Sequence, residues 1–343
     1  MAGLLLVGRL DQTHAASAKR CDSFQTRPDV ALLAGLLHSS ELMKIYPDTN
    51  VREWNTVVID KKDEPGCAVK ITSAGTSAFE FPEAREMAQP FLSFFRSSSD
   101  VSRAFKKRLF DQGISDAVVI ETNQINQFRS TWVGKTSIGK SPAKLLAFIT
   151  LHEAFHIYRF MNVAAWTEKE WQGMRMEARR QWGTEEINKK CYSASTIIKK
   201  LVRQELSSLT LAARANSALS QSTYLRRFVS ARKERYGLID PVCVSEEKNQ
   251  ELLEGSANFF AFNSLLAAKV VTFADLQDYL KASITQSLGP AGPATNEAFY
   301  ELGMMQLMNL KNILSSEDWQ LLAPVIDQQK ASIFESIMDS QSN

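Results

Sequence analysis

From residue 141 onward the β-forming runs that mark the earlier chain all but disappear, and helical spacing takes over. This change of periodicity predicts an α+β fold, predominantly α. A small antiparallel β-rich N-terminal part would be packed on a helical bundle. Thr56-Val-Val-Ile-Asp60, Ala68-Val-Lys-Ile-Thr72 and Ala78-Phe-Glu-Phe81 are short β-rich runs separated by Lys-Asp-Glu-Pro-Gly and Ser-Ala-Gly-Thr, the punctuation of an antiparallel meander. Asp116 to Glu121 is a further strand, with Asn123 to Trp132 its partner or an extended edge. Asp29 to Ile45, Pro82 to Phe95 and Ser99 to Gln112 read as helices, the last ended by Gly113.

The second half is a succession of helices. Thr184 to Ser217 carries one long helical pattern, Thr223 to Arg235 another, and Gly237 with Pro241 ends it. Ser245 is the expected cap of a helix running to about Lys269, with Glu246 and Glu247 in its first turn. Thr272-x-x-Asp275 and Ser315-x-x-Asp318 have the form of capping boxes, Gly289 to Pro293 breaks the chain, and Thr295 to Leu314 is the penultimate helix. No repeat or low-complexity linker divides the chain. The expected organisation is residues 1–25 as a mobile segment or signal remnant, then one domain over 26–343. Within it, 26–140 is the mixed α/β part and 141–343 the helical part.

Composition limits the partners. With 343 residues, 44% hydrophobic and 23% charged, the chain can bury a large core. A net charge of +2 gives no electrostatic case for nucleic acid, and no apolar run is long enough to span a bilayer. Ala2 to Gly8 and Ala16-Ser-Ala18 resemble parts of an export signal, although Arg9 and Asp11 interrupt it; an untidy tail is the alternative. Cys21, Cys67, Cys191 and Cys243 stand far apart with no C-x-x-C, which argues against a thiolate metal site. Two disulfides fit an exported protein and four thiols a cytoplasmic one. Export, to a periplasm or outside the cell, is favoured.

The helix that opens the second half carries chemistry. Ser141 followed by Pro142 is a cap with proline at the first helical position. Leu145, Phe148, Ile149 and Leu151 make an inner face, and Leu151-His152-Glu153-Ala154-Phe155-His156 reads H-E-x-x-H. Residues i and i+4 share one helical face, so His152 and His156 can point at one ion, with Glu153 beside it. The chain has only four histidines, and the other two, His14 and His38, have no motif around them. The bland alternative is two partly buried helix histidines with a solvated glutamate between them.

A catalytic zinc site usually has three protein ligands and one open position. No histidine occurs between Arg159 and Thr167, so the third ligand should be a carboxylate on another helix. The best candidate lies in Glu251-Leu-Leu-Glu254-Gly255-Ser-Ala257-Asn258-Phe-Phe260. There small residues allow close helix approach, and Glu251, Glu254 and Asn258 fall on one face of a plain α-helix. The alternative there is a solvated charged helix, which the apolar surroundings of Leu252, Leu253, Phe259 and Phe260 disfavour.

These two segments resemble the paired motifs of the gluzincins, zinc metallopeptidases with H-E-x-x-H and a glutamate on a following helix. The chain looks like a bacterial branch of that group. The separation, 254 − 156 = 98 residues, is longer than in compact thermolysin-like enzymes and implies an inserted helical region. The resemblance implies a zincin-like bundle, with Zn2+ bound by His152, His156 and Glu254, and Glu153 as general base. It puts Asn258 where thermolysin-like enzymes have an aspartate that orients a ligand histidine, so Asn258 and Glu251 are expected in the outer shell. Tyr300 is the candidate for stabilising the oxyanion, with Tyr158 and Tyr236 as rivals; a packed helix tyrosine is the alternative. Arg232 and Arg235 could meet a substrate carboxylate, a solvated basic face being the default. The expected activity is a zinc-dependent hydrolase cleaving peptide or protein substrates. The competing functions are an inactive helical binding protein and a metal-dependent hydrolase of a non-peptide substrate.

Overall fold

Strand β5, Ala117–Glu121, is buried at all five positions, the mark of a central strand that needs a partner on each side. The computed structural model supplies both. It describes residues 21–46, 49, 55–61, 66–82, 93–95, 103–115, 117–122, 125, 128–129, 131–162, 191, 195–288, 297–328, 332–335 and 337. At 43, 93–95, 157–162, 297 and 327–328 it describes the backbone only. β1 (Thr56–Asp60) runs parallel to β5, with Thr56 opposite Val118, and β4 (Ser93–Phe95) pairs antiparallel on its other side. β2 (Cys67–Thr72) and β3 (Gly75–Glu80) extend the sheet beyond β1 as the expected antiparallel meander, giving the order β3-β2-β1-β5-β4. The sheet is therefore mixed rather than wholly antiparallel, because the apolar run of β5 docks beside β1 and not at an edge. Ser93–Phe95, expected at the end of a helix, is strand; 83–92 lie outside the described residues. Ile125, Phe128 and Arg129, within the segment expected as a partner strand or extended edge, are helical.

By contacts the chain divides into two units. The first takes in Met1–Lys44, Thr49–Ile157 and Ala267–Val271, and the second Ile45–Asp48, Tyr158–Leu266 and Thr272–Asn343. The first holds the sheet, α1 (Pro28–Leu37), a 3-10 turn at Ser40–Lys44, α2 (Arg103–Asp111), and α3 (Ser137–Lys140). It also holds α4 (Pro142–Asn162) as far as Ile157. Val57, Ile59, Val119, Phe81 and Phe105 pack in one buried cluster with Leu109 of α2. Gly113 ends that helix in the left-handed conformation, φ 69°, as expected of a glycine at this place. Of the segment 1–25 expected to be mobile, residues 21–25 are described and helical. Cys21 and Phe24 there are buried, and a disulfide joins Cys21 to Cys67 at the start of β2.

The second unit is helical. α5 (Thr196–Ala213) is capped by Ser195 and α6 (Ala218–Tyr236) by Ser217, so the pattern read as one helix to Ser217 breaks at Arg214 and restarts. The next helix, α7 (Pro241–Gln250), begins at Asp240, whose side chain accepts from the Val242 N–H, and not at Ser245. The stronger start is the Asp-Pro pair, cap plus first-turn proline. α7 continues through one π-helical turn, Glu251–Gly255, into α8 (Ser256–Ala267). α9 (Phe273–Ser287) opens on the expected capping box of Thr272 and Asp275, followed by α10 (Glu297–Ile313) and α11 (Ser316–Gln328). At the start of α11 the Ser315 hydroxyl accepts from the Asp318 N–H at 3.0 Å. A second disulfide, Cys191–Cys243, lies in this unit. Disulfides form and persist chiefly in oxidising environments, so the two bridges point toward export. No helix among the described residues is long and apolar enough to cross a membrane.

Candidate metal centre

α4 forms where Ser141 and Pro142 announce it. The Ser141 hydroxyl accepts from the Lys144 N–H at 3.4 Å, and Leu145, Leu146, Phe148, Leu151, Ala154 and Phe155 are buried along the helix. That apolar face fixes its rotation and thereby that of the histidines. His152 and Glu153 are partly exposed, and His156 is 7% exposed. The Nε2 atoms of His152 and His156 stand 3.1 Å apart, with the rings nearly perpendicular, at 81°. Two nitrogen ligands of one tetrahedral zinc, each about 2.0–2.1 Å from the ion, are separated by about 3.3 Å. The two Nε2 atoms are thus spaced as one ion would need them, and Glu153 beside them is partly exposed.

The carboxylates sit in the second unit on the π-helical turn. Glu251 and Glu254 are both buried, at 1% and 8% exposure. A π turn holds one residue more than an α turn, so the two do not keep the i, i+3 relation of a plain helix. Glu251 is held by Arg232, whose Nη1 donates to Oε2 at 2.8 Å while Nη2 lies 2.6 Å from Oε1. Small residues bring the turn against α10. A methyl group added at Gly255 would sit 2.7 Å from the Gly303 Cα, and one added at Gly303 would overlap the Glu251 carbonyl oxygen. Close approach at Gly255 was expected, but its partner is α10. That helix carries Tyr300 one turn before Gly303. Tyr300 is partly exposed there, and Asn258, 3% exposed, lies on α8.

Arg232 and Arg235 differ from the solvated face expected of them: both are fully buried. They form an ionic cluster with Glu205, Glu247 and Glu251. Arg232 Nε donates to Glu205 at 2.7 Å, and Arg235 Nη1 donates to both oxygens of Glu247, at 2.7 and 2.6 Å. Burial opposes the charge on Glu205, yet the two guanidiniums outweigh it and hold its pKa low. Burial raises Glu247 to about 7 against the pull of Arg235. Tyr236 accepts from Arg232 at 3.3 Å, and burial raises its pKa, so it is part of this cluster. The side chain of Tyr158 lies outside the described residues.

Sequence reasoning missed Glu205 and Glu247. A signal existed for the first, since Glu205 falls between Leu201 and Leu209 at four-residue steps, within the apolar face of α5. His38 is accounted for elsewhere, its Nε2 lying 2.8 Å from the Thr72 carbonyl oxygen, and His14 is outside the described residues. A cavity of about 370 Å³ in the first unit is lined by Arg27, Asp29, Asp60, Arg129 and Ser141. It meets α4 at its start, 152 − 141 = 11 residues or about 16 Å from His152, and is separate from the histidine pair. Comparison with protein-family models, with curated proteins and with solved structures finds no match.

Proposed function

We propose that the chain is a zinc-dependent hydrolase, a peptidase of the gluzincin type acting in a periplasm or outside the cell, with His152, His156 and Glu254 as metal ligands. The observation that carries this reading is the ligand group itself. One atom from each of the three residues falls within 4.8 Å of the others, and no other group of three His, Cys, Asp or Glu among the described residues could hold an ion. Two neutral imidazoles and one carboxylate suit zinc as a catalytic set, leaving one position open. A zinc ion there supplies a water of lowered pKa and polarises the scissile carbonyl.

The chain's own groups do the rest. Glu153 follows the first histidine on a partly exposed stretch of α4, where its carboxylate takes a proton from the attacking water and passes it to the leaving amine. Tyr300 donates its phenolic proton in a hydrogen bond to the developing oxyanion. The test combines metal analysis with one substitution. Purified protein should carry about one equivalent of zinc that survives dialysis and leaves on chelation. Glu153→Gln should keep the zinc and lose most peptide hydrolysis, about 10²–10⁴-fold. Zinc-free protein, or full turnover by the zinc-loaded variant, refutes the reading.

A further inference from the structure

Arg232 is an arginine with no exposed surface, and both ends of its guanidinium are committed. Its Nε donates to Glu205 at 2.7 Å, its other nitrogens grip both oxygens of Glu251, and the rings of Phe228, Tyr236 and Phe334 lie 5.0–5.4 Å from its Cζ. This arginine cannot meet a substrate. Its effect falls on Glu251, the first residue of the π-helical turn. The last residue, Gly255, is pressed against Gly303, and Gly303 in turn abuts the Glu251 backbone. A π turn is a strained, low-population way to continue a helix and persists only where the surroundings hold it. Here it is held at both ends, and Glu254 stands between the two holds.

We propose that Arg232 and Glu251 are positioning residues for the metal ligand Glu254. Their two-pronged ion pair fixes the rotation of the π turn and so the direction of the Glu254 carboxylate. Glu205 holds the guanidinium from its other edge. This inference rests on the zinc reading above. It assigns to Glu251 a structural partner on its own side of the turn, in place of an outer-shell contact to a histidine.

The experiment compares two one-carbon shortenings in the same buried cluster. Glu251→Asp withdraws the carboxylate from the turn-holding pair, whereas Glu247→Asp withdraws one from Arg235, whose hydrogen bonds go to Glu205 and Glu247. Each full-length variant is made zinc-free, checked by circular dichroism and thermal melting, and titrated with zinc against a competing chelator. Glu251→Asp should bind zinc about 10–100-fold more weakly, the usual cost of disturbing a ligand's support, while Glu247→Asp stays within about twofold of wild type at a comparable loss of melting temperature. Equal losses of affinity in both variants, or none in either, overturn the positioning role while wild-type zinc binding stands. Should Glu251→Asp not fold, the paired change Arg232→Met with Glu251→Leu replaces the ion pair by apolar volume. That variant must show the same weakened binding, and wild-type affinity there overturns the proposal. A wild-type protein that binds no zinc refutes the metal reading itself, a result distinct from either.

Discussion

Three buried carboxylates face two buried guanidiniums in the second unit. Glu205, Glu247 and Glu251 bring −3, Arg232 and Arg235 bring +2, and these five buried groups sum to −1. One proton removes the imbalance. Glu205 touches both arginines and stays charged, so the proton belongs on Glu247, which burial raises from 4.5 to about 7. In the unfolded chain Glu247 loses its proton near 4.5. Between the two values the folded protein still holds a proton that the unfolded chain has released. Stability from this group is therefore greatest below pH 4.5 and is lost as pH rises through 7. At about 1.4 kcal/mol per pH unit across that interval, the loss is about 3 kcal/mol.

Glu247→Gln replaces the titrating group by a neutral one of the same shape. Urea unfolding of both proteins at pH 5, 6, 7 and 8, with chelator present so that pH-dependent metal binding does not contribute, isolates the effect. Wild type should lose about 2.5 kcal/mol more than the variant between pH 5 and 8, since part of the loss has already occurred by pH 5. Every other titrating group is the same in both proteins and cancels in the difference. Parallel pH profiles would refute the assignment of the proton to Glu247.

Two further outcomes follow from the described geometry. Glu254→Ala removes the proposed third ligand and should weaken zinc binding by about 100-fold or more in a chelator competition, with the circular dichroism spectrum unchanged; retained affinity would show that the third ligand lies elsewhere. Each disulfide closes a span of 46 or 52 residues, which corresponds to about 4 kcal/mol in the chain-entropy account. Protein from its native compartment should weigh four protons less than its reduced form, and Cys191→Ser with Cys243→Ser should lower unfolding stability by about that amount, as read from denaturant midpoints.

The elements that could be read in advance were those whose signal is local. Ser141-Pro142, Thr272-x-x-Asp275 and Ser315-x-x-Asp318 each satisfy backbone N–H groups within three residues of the cap, so nothing distant can overrule them. The meander was readable for the same reason, since Ser73 and Ala74 turn β2 straight back into β3. The parallel partnership of β1 and β5 was not, because the 56 residues between Asp60 and Ala117 carry no mark of which neighbour β5 will choose. The false start at Ser245 shows the reverse error. Ser245 with two glutamates after it has cap chemistry, but Asp240 and Pro241 come first and start the helix five residues earlier.

The glutamates of the ligand helix show where residue pattern stops and three-dimensional placement begins. In a plain α-helix Glu251 and Glu254 would share one face and compete for one task. Two features unseen in the pattern separate them. The π turn alters their angular relation, and Arg232, nineteen residues upstream, takes both oxygens of Glu251. A carboxylate so held would have to leave a buried guanidinium uncompensated in order to bind a metal, at a cost of several kcal/mol. Glu251 is thereby committed to Arg232, which is why the proposed metal ligand of this turn is not Glu251. The signal that could have announced this was the apolar company of Arg232 itself. An arginine one turn from Phe228 and one turn from Tyr236, on a helix face that also buries Leu225, is placed to be enclosed, and an enclosed arginine requires carboxylates.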